Sequence, residues 1–252
     1  MNFIILNSLK AGILFCLLIF IGSCDKDEVC NVEEEINPSD QPYSVTIKPA
    51  DFLSENIVGN TYFPLISGRK LIYVGKDEDG NRIDIEEYFT GQTKVILGVT
   101  CVVVEFREWV SGSLVEVAYD WYAQAKDGNV WYFGEQVDNY ENGNLTDHGG
   151  SWEAGVDGAQ PGISMMGDPE IGIWYRQEYY KGEAEDVAQV LDLGVSVTTP
   201  ASTYENCLKT AEWSPLEPDM MEHKYYAPGI GNIKIEKVKG SSGYEELVEV
   251  RQ

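Results

Sequence analysis

Two carboxylates and six aromatic rings gathered around one Asp-Gly dipeptide are the residues of this chain best placed to do chemistry. From Ala118 to Glu135 the sequence reads A-Y-D-W-Y-A-Q-A-K-D-G-N-V-W-Y-F-G-E. Two strand-favouring runs joined at Asp127-Gly128 predict a hairpin, because a type I′ turn needs φ > 0 at both central positions. With that turn, Lys126 faces Asn129, Gln124 faces Trp131, Tyr122 faces Phe133 and Asp120 faces Glu135. On the alternate face Ala123 meets Tyr132 and Trp121 meets Gly134. Carboxylates directly opposite each other are destabilising unless a proton, a cation or solvent relieves them. Asp120 and Glu135 could therefore act as the acid and nucleophile of a glycoside hydrolase, with Tyr122, Trp131 and Phe133 stacking on sugar rings. They could equally bind a cation or polar ligand, or splay into water at the end of a hairpin. Trp152 and Glu153, in the glycine-rich stretch 149–162, join Asp120, Tyr122, Gln124, Trp131, Phe133 and Glu135 as the candidate binding set.

Other chemistries find less support. Oxygen ligands for calcium are plentiful at Asp120, Glu135, Glu153 and Asp157, but no Asp-x-Asp-x-Asp-Gly loop organises them, so no cofactor is expected. No C-x-x-C or Cys/His grouping suggests zinc. His148 and His223 are the only histidines, and neither adjoins a G-x-S-x-G elbow or a cysteine nucleophile. The glycines of 155–162 carry Asp157 and no lysine, so they do not cradle phosphate.

The elements that must position the hairpin read as β throughout. Strands are expected at Arg69–Gly75, Arg82–Thr90, Lys94–Leu97, Val99–Arg107, Leu114–Ala125 and Glu135–Tyr140. Further strands follow at Ile173–Tyr180, Ser196–Thr199, Tyr204–Trp213, Met221–Ala227, Gly231–Val238 and Glu245–Val250. Glu183–Leu193 fits a helical stripe and a strand alternation alike, and its β surroundings favour the strand. Gly149–Gly162 is too long for a tight turn, and Trp152 and Val156 within it predict a loop packed over the sheet. The expected fold is mainly β with little helix: a curled antiparallel sheet, half-barrel or sandwich-like.

Composition bounds the partners. Of 252 residues, 42 are acidic and 18 basic, a formal charge of −24 that excludes binding to a nucleic-acid backbone. Lys10 precedes an apolar run, Ala11 to Ile21, of the length of a signal h-region. The run ends in Ile21-Gly22-Ser23-Cys24, which resembles the lipobox of bacterial lipoproteins, in which the cysteine becomes the first mature residue and carries acyl chains such as palmitate. The resemblance implies a signal peptide over 1–23, a lipid on Cys24 and membrane attachment through it. Asp25-Lys26-Asp27-Glu28 resembles the surface-export signal of Bacteroidota lipoproteins. Its aspartate also resembles the inner-membrane retention signal of enteric bacteria. The outer membrane, with surface exposure, is the preferred destination. Residues 24–57, acidic and proline-bearing, read as a flexible tether with a short helical turn at Ala50–Ser54, and 58–252 as one β domain. Cys101 and Cys207 could form a disulfide in an oxidising envelope or remain as two buried thiols.

The motifs Asp120-Trp121-Tyr122-Ala123-Gln124, Gly128–Glu135, Gly150–Gly155 and Lys224-Tyr225-Tyr226-Ala227-Pro228-Gly229-Ile230-Gly231 resemble an uncharacterised family of secreted bacterial proteins. The likeness spans roughly residues 58–250 and brings no catalytic residue with it. A looser similarity links the chain to envelope lipoprotein carriers with half-barrel sheets. Three functions are therefore carried forward: a lipid-anchored, non-enzymatic binding module for a small apolar or glycan ligand, a hydrolase using Asp120 and Glu135, and a structural surface lipoprotein.

Overall fold

A computed structural model describes residues 41–53 and 59–252. The expected signal peptide, Cys24, the charged residues after it and Cys30 lie outside the described residues. Fifteen strands follow one another in a single antiparallel sheet: β1 (Lys70–Lys76), β2 (Arg82–Ile96), β3 (Val99–Val110), β4 (Ser113–Gln124), β5 (Val130–Glu141), β6 (Asn144–Asp147), β7 (Trp152–Glu153), β8 (Gln160–Met165), β9 (Trp174–Arg176), β10 (Glu178–Tyr179), β11 (Val187–Thr198), β12 (Thr203–Trp213), β13 (Met221–Ala227), β14 (Gly231–Lys239) and β15 (Gly243–Arg251). The mainly β, curled antiparallel expectation holds, and the ambiguous stretch 183–193 is strand from Val187 onward, in β11, with 183–186 outside it. The strands expected at 82–90 and 94–97 are one long β2, irregular between Phe89 and Thr93.

The spatial order runs β10-β8-β5-β4-β3-β2-β1-β15-β14-β13-β12-β11-β9. Its two ends are the same piece of chain. β9 pairs with β11 (Val187 opposite Arg176), and two residues later β10 pairs with β8 (Glu178 opposite Pro161). Residues 174–179 thus draw the sheet into a nearly closed barrel, which leaves few unpaired edges. Gly162 lets that seam close, since a Cβ there would stand 2.3 Å from the Gln177 carbonyl carbon.

Strand alternation sorts side chains between two cores. Leu71, Phe89, Val104, Met165, Leu208, Ile233 and Leu247 point inward, while Ile96, Cys101, Trp121, Phe133 and Ala154 pack on the outer face. Cys101 and Cys207 are both free and buried, one in each core. The outer core is covered by the 152–159 loop, where Trp152 is 5% exposed and Ala154 2%. It is also covered by residues 41–53, which belong to the span read as tether but are docked on the barrel. Phe52 bridges to Ala125 and sets its ring 5.5 Å from Phe133. The Tyr43 hydroxyl donates to the Pro161 carbonyl at 2.7 Å. A single 3-10 turn, Pro49–Asp51, stands where a helical turn was expected one residue later.

The hairpin at Asp127-Gly128 reaches the expected pairing by an unexpected path. Its turn has three residues rather than two: Ala125 N–H donates to the Asn129 carbonyl, and only Gly128, at φ 93°, is left-handed. Asp127 stabilises this longer turn by accepting from Asn129 N–H at 3.0 Å. Gln124 therefore faces Val130, Ala123 faces Trp131 and Tyr122 faces Tyr132, each one residue from expectation. A bulge at Phe133-Gly134 then restores the register, and Asp120 does stand opposite Glu135. The two-residue turns with positive φ at both positions occur elsewhere, at Leu97-Gly98, Ser111-Gly112 and Asn142-Gly143.

Gly134 has φ 118°, and a Cβ on it would lie 2.3 Å from the Trp152 carbonyl oxygen. Gly134→Ala is expected to lose about 2–4 kcal/mol of stability, read by urea denaturation, with Trp152 released into solvent and its emission red-shifted. Unchanged stability and emission would show that β7 does not depend on this contact.

Candidate functional site

The inward face divides along the strands. One end of the barrel is filled by the apolar core, and the other is polar because the inward phase of the strands there carries charge. Glu87 continues the phase of Ile83, Ile85 and Phe89, and Glu212 that of Leu208 and Thr210. Between the two zones lies a cavity of about 260 Å³ whose wall includes six carboxylates, Glu87, Asp120, Glu178, Asp186, Glu212 and Glu245, and one lysine, Lys224. Aromatic side chains complete it. Tyr122 and Tyr132 stack at 4.8 Å between centroids, Phe63 tilts onto Tyr122 at 5.0 Å, and Phe106, Tyr73 and Tyr226 face the same space.

Hydroxyls and one indole tie these acids to the wall. Tyr132 donates to Asp120 Oδ1 at 2.7 Å, and Tyr73 reaches both Glu87 Oε2 at 3.1 Å and the Asn232 carbonyl at 3.0 Å. Tyr226 and Thr210 both reach Glu212 Oε1 at 2.7 Å, and Lys224 Nζ lies 3.0 Å from Glu212 Oε2. Trp152, placed by β7 beside Glu135, donates its indole N–H to Glu178 Oε2 at 3.1 Å. Behind Glu87, the buried Arg69 donates to the Gly229 and Pro64 carbonyls and sits 5.1 Å over the Phe89 ring.

Charge balance in this wall follows from burial and neighbours. Burial pushes Asp120 up to about 7 against the hydrogen bond from Tyr132, with Glu87 and Glu116 adding repulsion. Burial, then Asp120 and Glu178, push Glu135 up to about 9. Burial and Asp186 push Glu178 up to about 8, and burial with Glu222 and Glu108 pushes Glu245 up to about 7. Glu212 is the exception. Burial raises it too, but Lys224 and the hydrogen bonds from Tyr226 and Thr210 outweigh that and hold it below the usual range. Most of the acids of the wall still keep one face on the cavity: Glu87, Asp120, Glu178 and Glu245 are half-buried, and Asp186 is exposed.

Of the candidate residues, Asp120 and Tyr122 line this cavity; Glu135 stands opposite Asp120 on the next strand, and Trp152 reaches the wall only through its bond to Glu178. The others lie apart from it. Phe133 is wholly buried on the outer face, with Trp131 half-buried beside it against Phe52. Glu153 pairs on the outside with Lys94 at 2.7 Å, whose ammonium sits 3.2 Å over the Trp121 ring. Gln124 is buried beside Gly59 and is not part of the cavity wall. The calcium ligands considered from sequence are likewise split between faces, and no group of three or more acidic, histidine or cysteine side chains among the described residues could hold a metal ion. Glu87, Glu178, Asp186, Glu212, Lys224 and Glu245 were missed. The available signal, for those within long strands, was a charge on the apolar phase of an alternating segment.

No protein-family model and no curated protein matches this chain. Among solved structures, it is similar to a protein from Bacteroides fragilis described as exported and having a YmcC-like fold, at 15% identity and a TM-score of 0.45, over 77% of this chain and 100% of that one. It is also similar to a protein from Parabacteroides distasonis described as a lipoprotein, at 18% identity and a TM-score of 0.36, over 76% of this chain and 99% of that one. Function is accordingly read from the site itself.

The raised acids set a pH dependence. Their folded pKa values exceed the ordinary carboxylate value near 4, so the folded state keeps protons that the unfolded chain has released. The associated stability is complete below about pH 4 and is lost as pH rises through the range 7 to 9. The melting temperature is expected to fall by roughly 5 °C or more between pH 5 and pH 9, and less steeply in Glu135→Gln. A flat or rising profile would contradict the buried-acid account.

Proposed function

We propose that this chain is a lipid-anchored envelope protein whose barrel lumen binds a small polar molecule. The observation that carries the reading is the cavity of about 260 Å³, which combines stacked tyrosines with hydrogen-bonding side chains. Small-molecule sites have this character: concave, largely preformed, aromatic, and with a few polar groups that set orientation. The charged wall disfavours the apolar ligand expected from sequence, because an apolar occupant would strip water from carboxylates and return no hydrogen bonds. A hydroxylated ligand of sugar size suits the stacked rings. Attachment through Cys24, delivery to the outer membrane and exposure at the surface rest on the Ile21–Cys24 and Asp25–Glu28 motifs.

Glycoside hydrolysis is the second reading, favoured by Asp120 standing opposite Glu135 beside aromatic rings. A retaining mechanism needs an ionised nucleophile next to a protonated acid, a state that Asp120, pushed up to about 7, and Glu135, pushed up to about 9, reach only between those values; against the reading, Glu135 is not part of the cavity wall.

Titration of the detergent-solubilised full chain with small sugars, polyols and amines is expected to quench Trp152 emission, since its indole is bonded to a cavity carboxylate. Ser164→Trp, which fills the cavity, should abolish that response while the circular dichroism stays that of a β sheet, and Asp120→Asn should weaken it. Binding that survives both variants would place the ligand elsewhere. Release of sugar from glycosides by the wild type, lost in Glu135→Gln, would favour the hydrolase.

A further inference from the structure

Taking the lumen as a ligand site, we infer that its occupant carries a positive charge: a small organic cation with an ammonium, guanidinium or quaternary nitrogen head. Three observations converge on that class.

The first is an imbalance of ion pairing in the cavity. Lys224, the one cation of its wall, is committed to Glu212 at 3.0 Å and lies 3.8 Å from Glu222. Among the described residues, Glu87, Asp120, Glu178, Asp186 and Glu245 form no salt bridge, although all five line the same space.

The second concerns which hydrogen-bonding valences are left over. The hydroxyls of Tyr73, Tyr132 and Tyr226 are already spent on Glu87, Asp120 and Glu212. What these groups leave for a ligand is lone pairs. A ligand that gives protons to hydrogen bonds meets six carboxylates in this wall, against the donors of Tyr122, Ser164, Gln177 and Lys224.

The third is the aromatic surface. Tyrosine and phenylalanine rings attract cations at their faces, and the stacked Tyr122–Tyr132 pair with Phe63 lies beside Asp120. An anion would meet repulsion from the wall. A neutral sugar would stack equally well but would bring no charge to a wall with six carboxylates and one lysine.

Entry of a cation would be coupled to proton loss. Asp120 and Glu135 are faced by Glu87 from β2, Glu116 from β4 and Glu178 from β10, with the hydroxyls of Tyr122 and Tyr132 beside them. Glu178 is faced in turn by Asp186 and by the Trp152 indole. On the opposite wall stand Glu212, Lys224, Glu222 and Glu245, with Glu108 and Lys237 behind them. Burial first, and repulsion among the acids second, keep protons on them when the lumen is empty, and a bound cation would expel those protons.

The test is isothermal titration of the full chain in detergent with choline and agmatine, and with glucose as the neutral probe, at pH 6 and pH 8.5. Buffers of different ionisation enthalpy report protons released. Cations should bind about tenfold more tightly at the higher pH with proton release. Asp120→Asn should weaken them about tenfold and leave the fold intact. Glucose binding without cation binding would overturn the charge assignment while leaving the lumen as the site. Binding of neither probe, in a chain whose thermal melt confirms folding, would remove the cationic assignment and the lumen reading together. Cation binding unchanged in Ser164→Trp would place the cations on the acidic exterior and overturn the inference as well.

Discussion

Closing an antiparallel meander on itself obliges one phase of every strand to look at the same enclosed space. The rest of this structure depends on that constraint. A charge on the solvent phase of an open sheet costs little, but the same charge on the inward phase of a barrel must find a partner, keep a proton or stay in touch with water. Here the closure is made by residues 174–179, which pair at one end with β11 and at the other with β8. Once it is made, Glu87, Asp120, Glu212 and Glu245, on strands far apart in sequence, surround one cavity. Tyrosine hydroxyls, one lysine and shared protons are the means by which the fold tolerates them.

Much of the architecture was legible because strand alternation and turn chemistry are local. The β-branched run Val99–Arg107 and the Ser111-Gly112 and Asn142-Gly143 turns stand where their composition puts them. The hairpin is more instructive. Asp120 was expected opposite Glu135 from a two-residue turn, and it is opposite Glu135, yet the turn has three residues and Gly134 supplies the compensating bulge. Two departures of one residue cancelled. Neither was visible in propensities, since the longer turn depends on the Asp127 side chain and the bulge on the approach of Trp152 from a loop.

The site was legible only in part for a related reason. An aromatic cluster in sequence says nothing about which side of a sheet each ring takes: the longer turn and the bulge put Phe133 and Trp131 outward and brought Tyr132, expected on the other face, in beside Tyr122. Lys94 and Glu153, 59 residues apart, pair across the outer face, a contact no local pattern announces. The missed acids on the long strands carried a weaker but real mark. Glu87 interrupts Ile83, Ile85 and Phe89 in phase, as Glu245 precedes Leu247, and a polar residue in a core phase is the sequence trace of an enclosed polar site.

The docked stretch 41–53 has a mechanical consequence. Tyr43 and Val45 are bonded to Pro161 and Gln160 of β8, the same two residues that pair with Glu178 and Tyr179 to close the barrel. Tension on the chain ahead of residue 41 is therefore delivered to β8 at the shortest pairing in the ring, two residues long. Such a load would unzip the barrel along its seam, beside Glu178, before it strained the long ladders of β2 through β5. The stretch 41–53 and the cavity wall at Glu178 are thus mechanically in series.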